Sequence, residues 1–160
     1  FIPIQITLVD LVIEAYTSFF ITFEPNKKPV TGAFLMTALT NALPFALVIM
    51  FNIIFLTFLG DTLTISQTSA TTIMYLLIGF VSILAVQEVC KPYTKVHLFL
   101  FLTTAVGFYV AVILFRNLLH ISLDLQNNEI VITIILAVIS YLFISIKRTI
   151  YRRKNIGLTN

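Results

Sequence analysis

Long apolar runs separated by short polar knots dominate the chain. No charged residue occurs from Val30 to Gly60, from Ala70 to Val86, from His97 to Phe115 or from Ile130 to Ile146. A hydrocarbon core about 30 Å thick needs about 20 residues of helix, and each run is near or beyond that length. The pattern predicts five membrane-crossing helices at about 1–23, 31–59, 69–88, 97–117 and 129–147. The fold class expected is all-α, a polytopic membrane helix bundle that forms one domain over 1–160. The knots carry the stop signals. Glu24-Pro25-Asn26 ends the first run, because proline blocks helix continuation, and Lys27 and Lys28 follow. Asp61 to about Ser69 is a polar loop, Gln87 and Glu88 precede Lys91-Pro92, and Arg116 to Glu129 is rich in Asn and Asp. The second run is longer than one crossing needs, so it must tilt, kink or start outside the hydrocarbon core, with Pro44 the expected kink.

Composition agrees with this pattern and excludes other classes. Hydrophobic residues make up 59% of the 160 and charged residues 11%, with a mean hydropathy of +1.02, far from the usual soluble domain. The loops are too short to hold an extramembrane catalytic domain. The net charge of +3 does not point to nucleic acid, because the basic residues sit at the ends of apolar runs and not in a patch with spaced aromatics. They read as topology signals instead. In the five-span arrangement Lys27, Lys28, Lys91, Lys95, Lys147, Arg148, Arg152, Arg153 and Lys154 fall on one side, which the positive-inside rule makes cytoplasmic. The expected topology is an external N-terminus and a cytoplasmic C-terminus, in a multi-pass protein of the cell membrane. Phe1 opens directly on apolar sequence without a basic n-region, and the chain is read as a piece of a longer protein.

The first run breaks the apolar pattern with two carboxylates, Asp10 and Glu14. An ionised carboxylate at mid-bilayer depth costs at least about 2.5–3.5 kcal/mol. Residues four apart on a helix share a face with Cβ atoms about 5–6 Å apart, so the two charges repel unless a cation sits between them. Thr7, Thr17 or Ser18, and Thr22 extend the same helical spacing into a stripe of oxygen donors. Oxygen donors suit hard or alkali cations, whereas zinc or copper would call for His and Cys. No Lys or Arg lies at matching depth in the other runs, so no salt bridge within the chain is expected to neutralise the pair. Both acids are candidate cation ligands. Glu88 is a third candidate, although three residues before Lys91 it can also reach water at the end of its run.

Other polar residues carry weaker signals. Asn41 and Asn52 are expected to hydrogen-bond between helices, His97 and His120 lie at run ends, and Tyr75, Tyr93, Tyr109, Tyr141 and Tyr151 read as packing residues or interface anchors. Cys90 is the single cysteine and reads as a small packing residue. No hydrolase-type Ser/His/Asp arrangement, nucleotide motif or GxxxG pair is present, and no internal repeat is visible. No catalytic or cofactor-binding residue is therefore assigned to the chain.

The stretch FIPIQITLVDLVIEAYTSFFITFEPN, residues 1–26, resembles the sixth transmembrane helix of cation-transporting P-type ATPases. The Pro3-x-Gln5 entry, the acid-Leu-x-x-acid core and the Glu24-Pro25 exit carry the resemblance, and the ending is similar to that of bacterial members of the calcium-transporter-like group. It implies that the chain corresponds to helices six to ten, the C-terminal transmembrane region of such a pump. It also implies that Asp10 and Glu14 bind the transported cation, with Ca²⁺ favoured over Mg²⁺, Mn²⁺ or a monovalent ion. Calcium pumps take a further acid from the eighth helix, where Glu88 is the candidate here. The implied partners are the lipid bilayer, the transported cation, and the upstream transmembrane helices and cytoplasmic domains of the same pump, with Mg²⁺ and ATP bound outside this chain. Where calcium pumps have Asn-Leu-Val-Thr-Asp, this chain reads Asp10-Leu11-Val12-Ile13-Glu14, so Ile13 replaces an oxygen donor. Ala15-Tyr16-Thr17 stands in place of the family's Gly-x-Pro, which implies a smaller local opening of the helix. The rival reading is a non-enzymatic channel, carrier or scaffold subunit.

Overall fold

The computed structural model describes residues 2–23, 34–63, 65–90 and 94–156, without the side chains of 34, 61–63 and 147–156. The Glu24-Pro25 stop, Lys27, Lys28 and Lys91 lie outside the described residues. The described chain is all helical. Its helices are α1 (Pro3–Thr22), α2 (Phe34–Leu63), α3 (Gln67–Val89), α4 (Lys95–Leu114) and α5 (Asn127–Ile156). All five are long and apolar enough to cross a membrane, as the run lengths predict.

Local chemistry explains where the helices begin. Ser66 caps α3, its Oγ accepting from the Ser69 N–H at 3.0 Å, and Thr94 caps α4 by accepting from the His97 N–H at 3.2 Å. At the start of α5 the Glu129 carboxylate reaches back to accept from the Gln126 N–H at 2.8 Å. A buried carboxylate there meets an otherwise unpaired donor and the positive end of the helix dipole. Two boundaries differ from the hydropathy reading. The α2 backbone runs through Asp61 to Leu63, and α5 remains helical through the basic run to Ile156. Hydropathy marks where lipid ends, whereas Lys and Arg are good helix formers that also suit a helix C-terminus. Pro44 is buried inside α2, which continues through it as one helix.

The central element is α3. It packs against α1 and α4 on one side and against α2 and α5 on the other. On the first side Ile13, Tyr75, Ile83, Leu100 and Phe108 share a cluster; on the second, Val48, Val81, Leu84 and Ile144 share one, and Leu56, Ile73, Leu77 and Leu136 another. The outer faces stay apolar, with Leu35, Phe58, Val106, Leu114 and Ile134 all exposed, as expected of helices bounded by lipid or by further helices. Cys90 is buried in the first cluster, in keeping with a packing role.

One buried polar pair crosses the second side. The Asn52 amide donates to Ser140 Oγ at 2.9 Å, and Ser140 in turn donates to the Leu136 carbonyl at 2.7 Å. This is the interhelical bond expected for Asn52, whereas Asn41 sits on an exposed face. Intramembrane hydrogen bonds of this kind average about 0.6 kcal/mol. Asn52→Leu combined with Ser140→Ala should therefore show a coupling of about that size in a double-mutant cycle of thermal unfolding in detergent. Strict additivity of the two changes would contradict the assignment.

Candidate cation site on the first helix

The start of α1 is fixed by Gln5. Pro3 at the first turn supplies the helical φ. Gln5 Oε1 accepts from the Ile2 N–H at 3.1 Å, its Nε2 donates to the Leu119 carbonyl at 2.8 Å, and its own carbonyl accepts from the Tyr75 hydroxyl at 3.0 Å. The residue is 2% exposed, and these bonds tie α1 to α3 and to the turn after α4. In the sequence Gln5 stands out only as part of the Pro3-x-Gln5 entry. The available signal was a Gln at the third helical position, where it can close back on the cap.

Between Asp10 and Ala15 the backbone adopts π-helical, i→i+5 bonding. Such wide turns are rare inside α-helices and frequent at functional sites. The helix widens here but stays continuous, and ordinary α-helix resumes from Tyr16 to Thr22. The sequence departure at Ala15-Tyr16-Thr17 is thus accompanied by a wide turn that coincides with the acid pair.

Asp10 and Glu14 are both exposed, whereas the residue before each, Val9 and Ile13, is buried against α3 and α4. The acids therefore face away from the bundle. Among the described residues no hydrogen bond or ion pair engages either carboxylate, and no three His, Cys, Asp or Glu side chains come together. Glu88 lies half-buried near the end of α3. At 1.5 Å per residue it is about 20 Å along α3 from Tyr75, whereas Glu14 is about 14 Å along α1 from Gln5, the residue that Tyr75 bonds. That puts Glu88 beyond Glu14, toward the end of the bundle where α3 stops.

The oxygen stripe expected around the acids divides in the structure. Thr7 and Thr22 are exposed and donate to the carbonyls of Pro3 and Ser18, four residues back. Ser18 is exposed, but Thr17 is buried and pairs with Thr104 Oγ1 at 3.3 Å. Four-residue spacing alone could not say which of Thr17 and Ser18 would stay with the acids; packing against α4 takes Thr17. The described site is therefore two carboxylates on a wide turn, together offering four oxygens. Ca²⁺ takes about six to eight, so a complete shell needs oxygens from outside this pair.

No family model matches the chain, and no solved structure matches it. The chain is 34% identical over 151 residues to the "Probable cation-transporting ATPase exp7" of Streptococcus pneumoniae, in an alignment covering 92% of this chain and 19% of that protein. It thus spans about a fifth of the length of the curated relative it matches. Over nearly all of its own length, this five-helix chain is similar to part of a cation-transporting ATPase.

Proposed function

We propose that the chain is the C-terminal membrane part of a P-type cation pump and that Asp10 and Glu14 bind the transported cation. The observation that carries this reading is the acid pair itself, set on a wide helical turn and directed to the face that α3 and α4 leave uncovered. Two unpaired carboxylates facing lipid would be costly. Further helices of the same pump would cover this face and contribute the missing oxygens. Glu88 is a further candidate ligand, beyond the acid pair toward the end of α3.

In this reading, rearrangements driven by phosphorylation in the cytoplasmic domains of the parent open the site alternately to the two sides of the membrane. The basic ends of α4 and α5 lie in the cytoplasm. Mg²⁺ and ATP belong to those other domains, and no step of their chemistry is assigned to residues 1–160. What this chain supplies is negative charge at the site and a rigid support behind it. Ca²⁺ is the favoured cargo because the donors are oxygens alone and because the acid-bearing helix is similar to that of the calcium-transporter-like group. The test is a cation screen on the full-length protein. Ca²⁺ should stimulate ATP hydrolysis at lower concentrations than Mn²⁺, Na⁺ or K⁺ do, in constant Mg²⁺. Stimulation by another ion alone would replace the cargo, and hydrolysis indifferent to all of them and to Mg²⁺ beyond what ATP itself requires would overturn the pump reading.

A further inference from the structure

The buried face of α1 keeps a spacing that an unbroken α-helix cannot keep. Gln5, Val9, Ile13 and Thr17 are 2%, 8%, 1% and 5% exposed, each four residues from the last. In an α-helix every four-residue step drifts by about 40°, so Thr17 would lie about 120° around the helix from Gln5. The i→i+5 turn at Asp10–Ala15 takes up this drift, because each residue in the wider coil turns through a smaller angle. The same correction keeps Asp10 and Glu14 together on the other face. The rotation of the acid face is therefore set by whatever holds the two ends of the helix.

Both ends are held by polar bonds. At one end is the Gln5 clamp to Leu119 and Tyr75. At the other, Tyr16 lies 3.0 Å from Thr103 Oγ1, and Thr17 lies 3.3 Å from Thr104 Oγ1. Thr103 directs its own hydroxyl proton to the carbonyls of Phe99 and Leu100, so the Tyr16 hydroxyl is the donor in its pair. These contacts immediately follow the wide turn, and they add directional bonds to the packing of α1 against α4, which rotation of the helix would break.

We infer that Tyr16 and Thr17 are positioning residues for the Asp10/Glu14 pair: their hydroxyl bonds to Thr103 and Thr104, with the Gln5 clamp at the far end, lock the rotation of α1 across its wide turn. This rests on the proposed cation role of the two acids. Neither Tyr16 nor Thr17 is assigned as a ligand, since both hydroxyls are engaged with α4; each acts through the backbone that carries the carboxylates.

The test measures Ca²⁺-stimulated ATP hydrolysis by the full-length protein, comparing half-maximal Ca²⁺ concentration with maximal rate. Thr17→Val, Thr104→Val and Tyr16→Phe keep shape and remove one hydroxyl each. Each should raise the half-maximal Ca²⁺ about fivefold, the size of one neutral hydrogen bond, while maximal rate stays near wild type and the thermal midpoint falls by no more than the loss of that one bond. The Thr17→Val/Thr104→Val double variant should shift no further than either single change, because both remove the same bond, and Thr17→Ser should restore the wild-type value. Asp10→Asn serves as the control. If it shifts the Ca²⁺ dependence while Thr17→Val and Tyr16→Phe do not, the positioning role is wrong and the site stands. If Asp10→Asn has no effect, the cation reading falls and the positioning role with it. Loss of thermal stability at unchanged Ca²⁺ dependence would make the bonds structural and overturn the inference.

Discussion

Asp10→Asn and Glu14→Gln in the full-length protein should each raise the cation concentration needed for half-maximal ATP hydrolysis by at least about tenfold, equivalent to about 1.4 kcal/mol of binding. Each change keeps size and one acceptor oxygen while removing the charge. Asp10 and Glu14 share the exposed face, so loss of either should be felt. The double change should leave no cation-stimulated activity at any accessible concentration. Glu88→Gln should have a smaller effect, because Glu88 lies beyond Glu14, near the helix end. The comparison ranks the three acids without assuming the identity of the ion: the same titration can be run with Ca²⁺, Mn²⁺ or a monovalent cation.

The second large effect is expected in the packing that holds α1 in place. A Cβ at Gly79 would overlap Phe108 Cε1 and Cζ, and Phe108 is fully buried beside Tyr75, with ring centroids 5.8 Å apart. The Phe108 ring cannot retreat without disturbing Tyr75, whose hydroxyl holds Gln5. Gly79→Ala gains about 1 kcal/mol of intrinsic helix propensity, but overpacking of a well-filled core typically costs about 1–3 kcal/mol. The variant should melt at a lower temperature in detergent, and Gly79→Val should be worse. Phe108→Leu, itself destabilising, should cost less in the Gly79→Ala background than in wild type, since the two residues share one space. Wild-type melting of Gly79→Ala would show that α3 and α4 do not approach as closely as described.

The spans were legible because a membrane helix writes its length directly into the apolar run, and the described residues hold five helices long and apolar enough to cross. The ends were less legible, as the helical basic run of α5 shows: hydropathy falls at Lys147, but backbone hydrogen bonding need not. The acid pair stood out because two carboxylates in an apolar run are expensive. Its setting did not. Nothing in the spacing of Asp10 and Glu14 announces i→i+5 bonding. Thr17 shows the same limit: residues 17 and 18 both fit the stripe, and only packing against Thr104 separates them. Gln5 and Gly79 were visible as letters, but their partners, Leu119, Tyr75 and Phe108, come from helices that composition cannot pair.

The central claim is that Asp10 and Glu14 form the cation site of an ATP-driven pump. Uptake of radiolabelled Ca²⁺ into inverted membrane vesicles carrying the full-length protein tests it most directly. ATP should drive accumulation in wild type, a calcium ionophore should release it, and the Asp10→Asn/Glu14→Gln double variant, present in equal amount and with an unchanged melting temperature, should accumulate none. ATP-driven accumulation by the double variant at the wild-type rate and Ca²⁺ dependence would contradict the account.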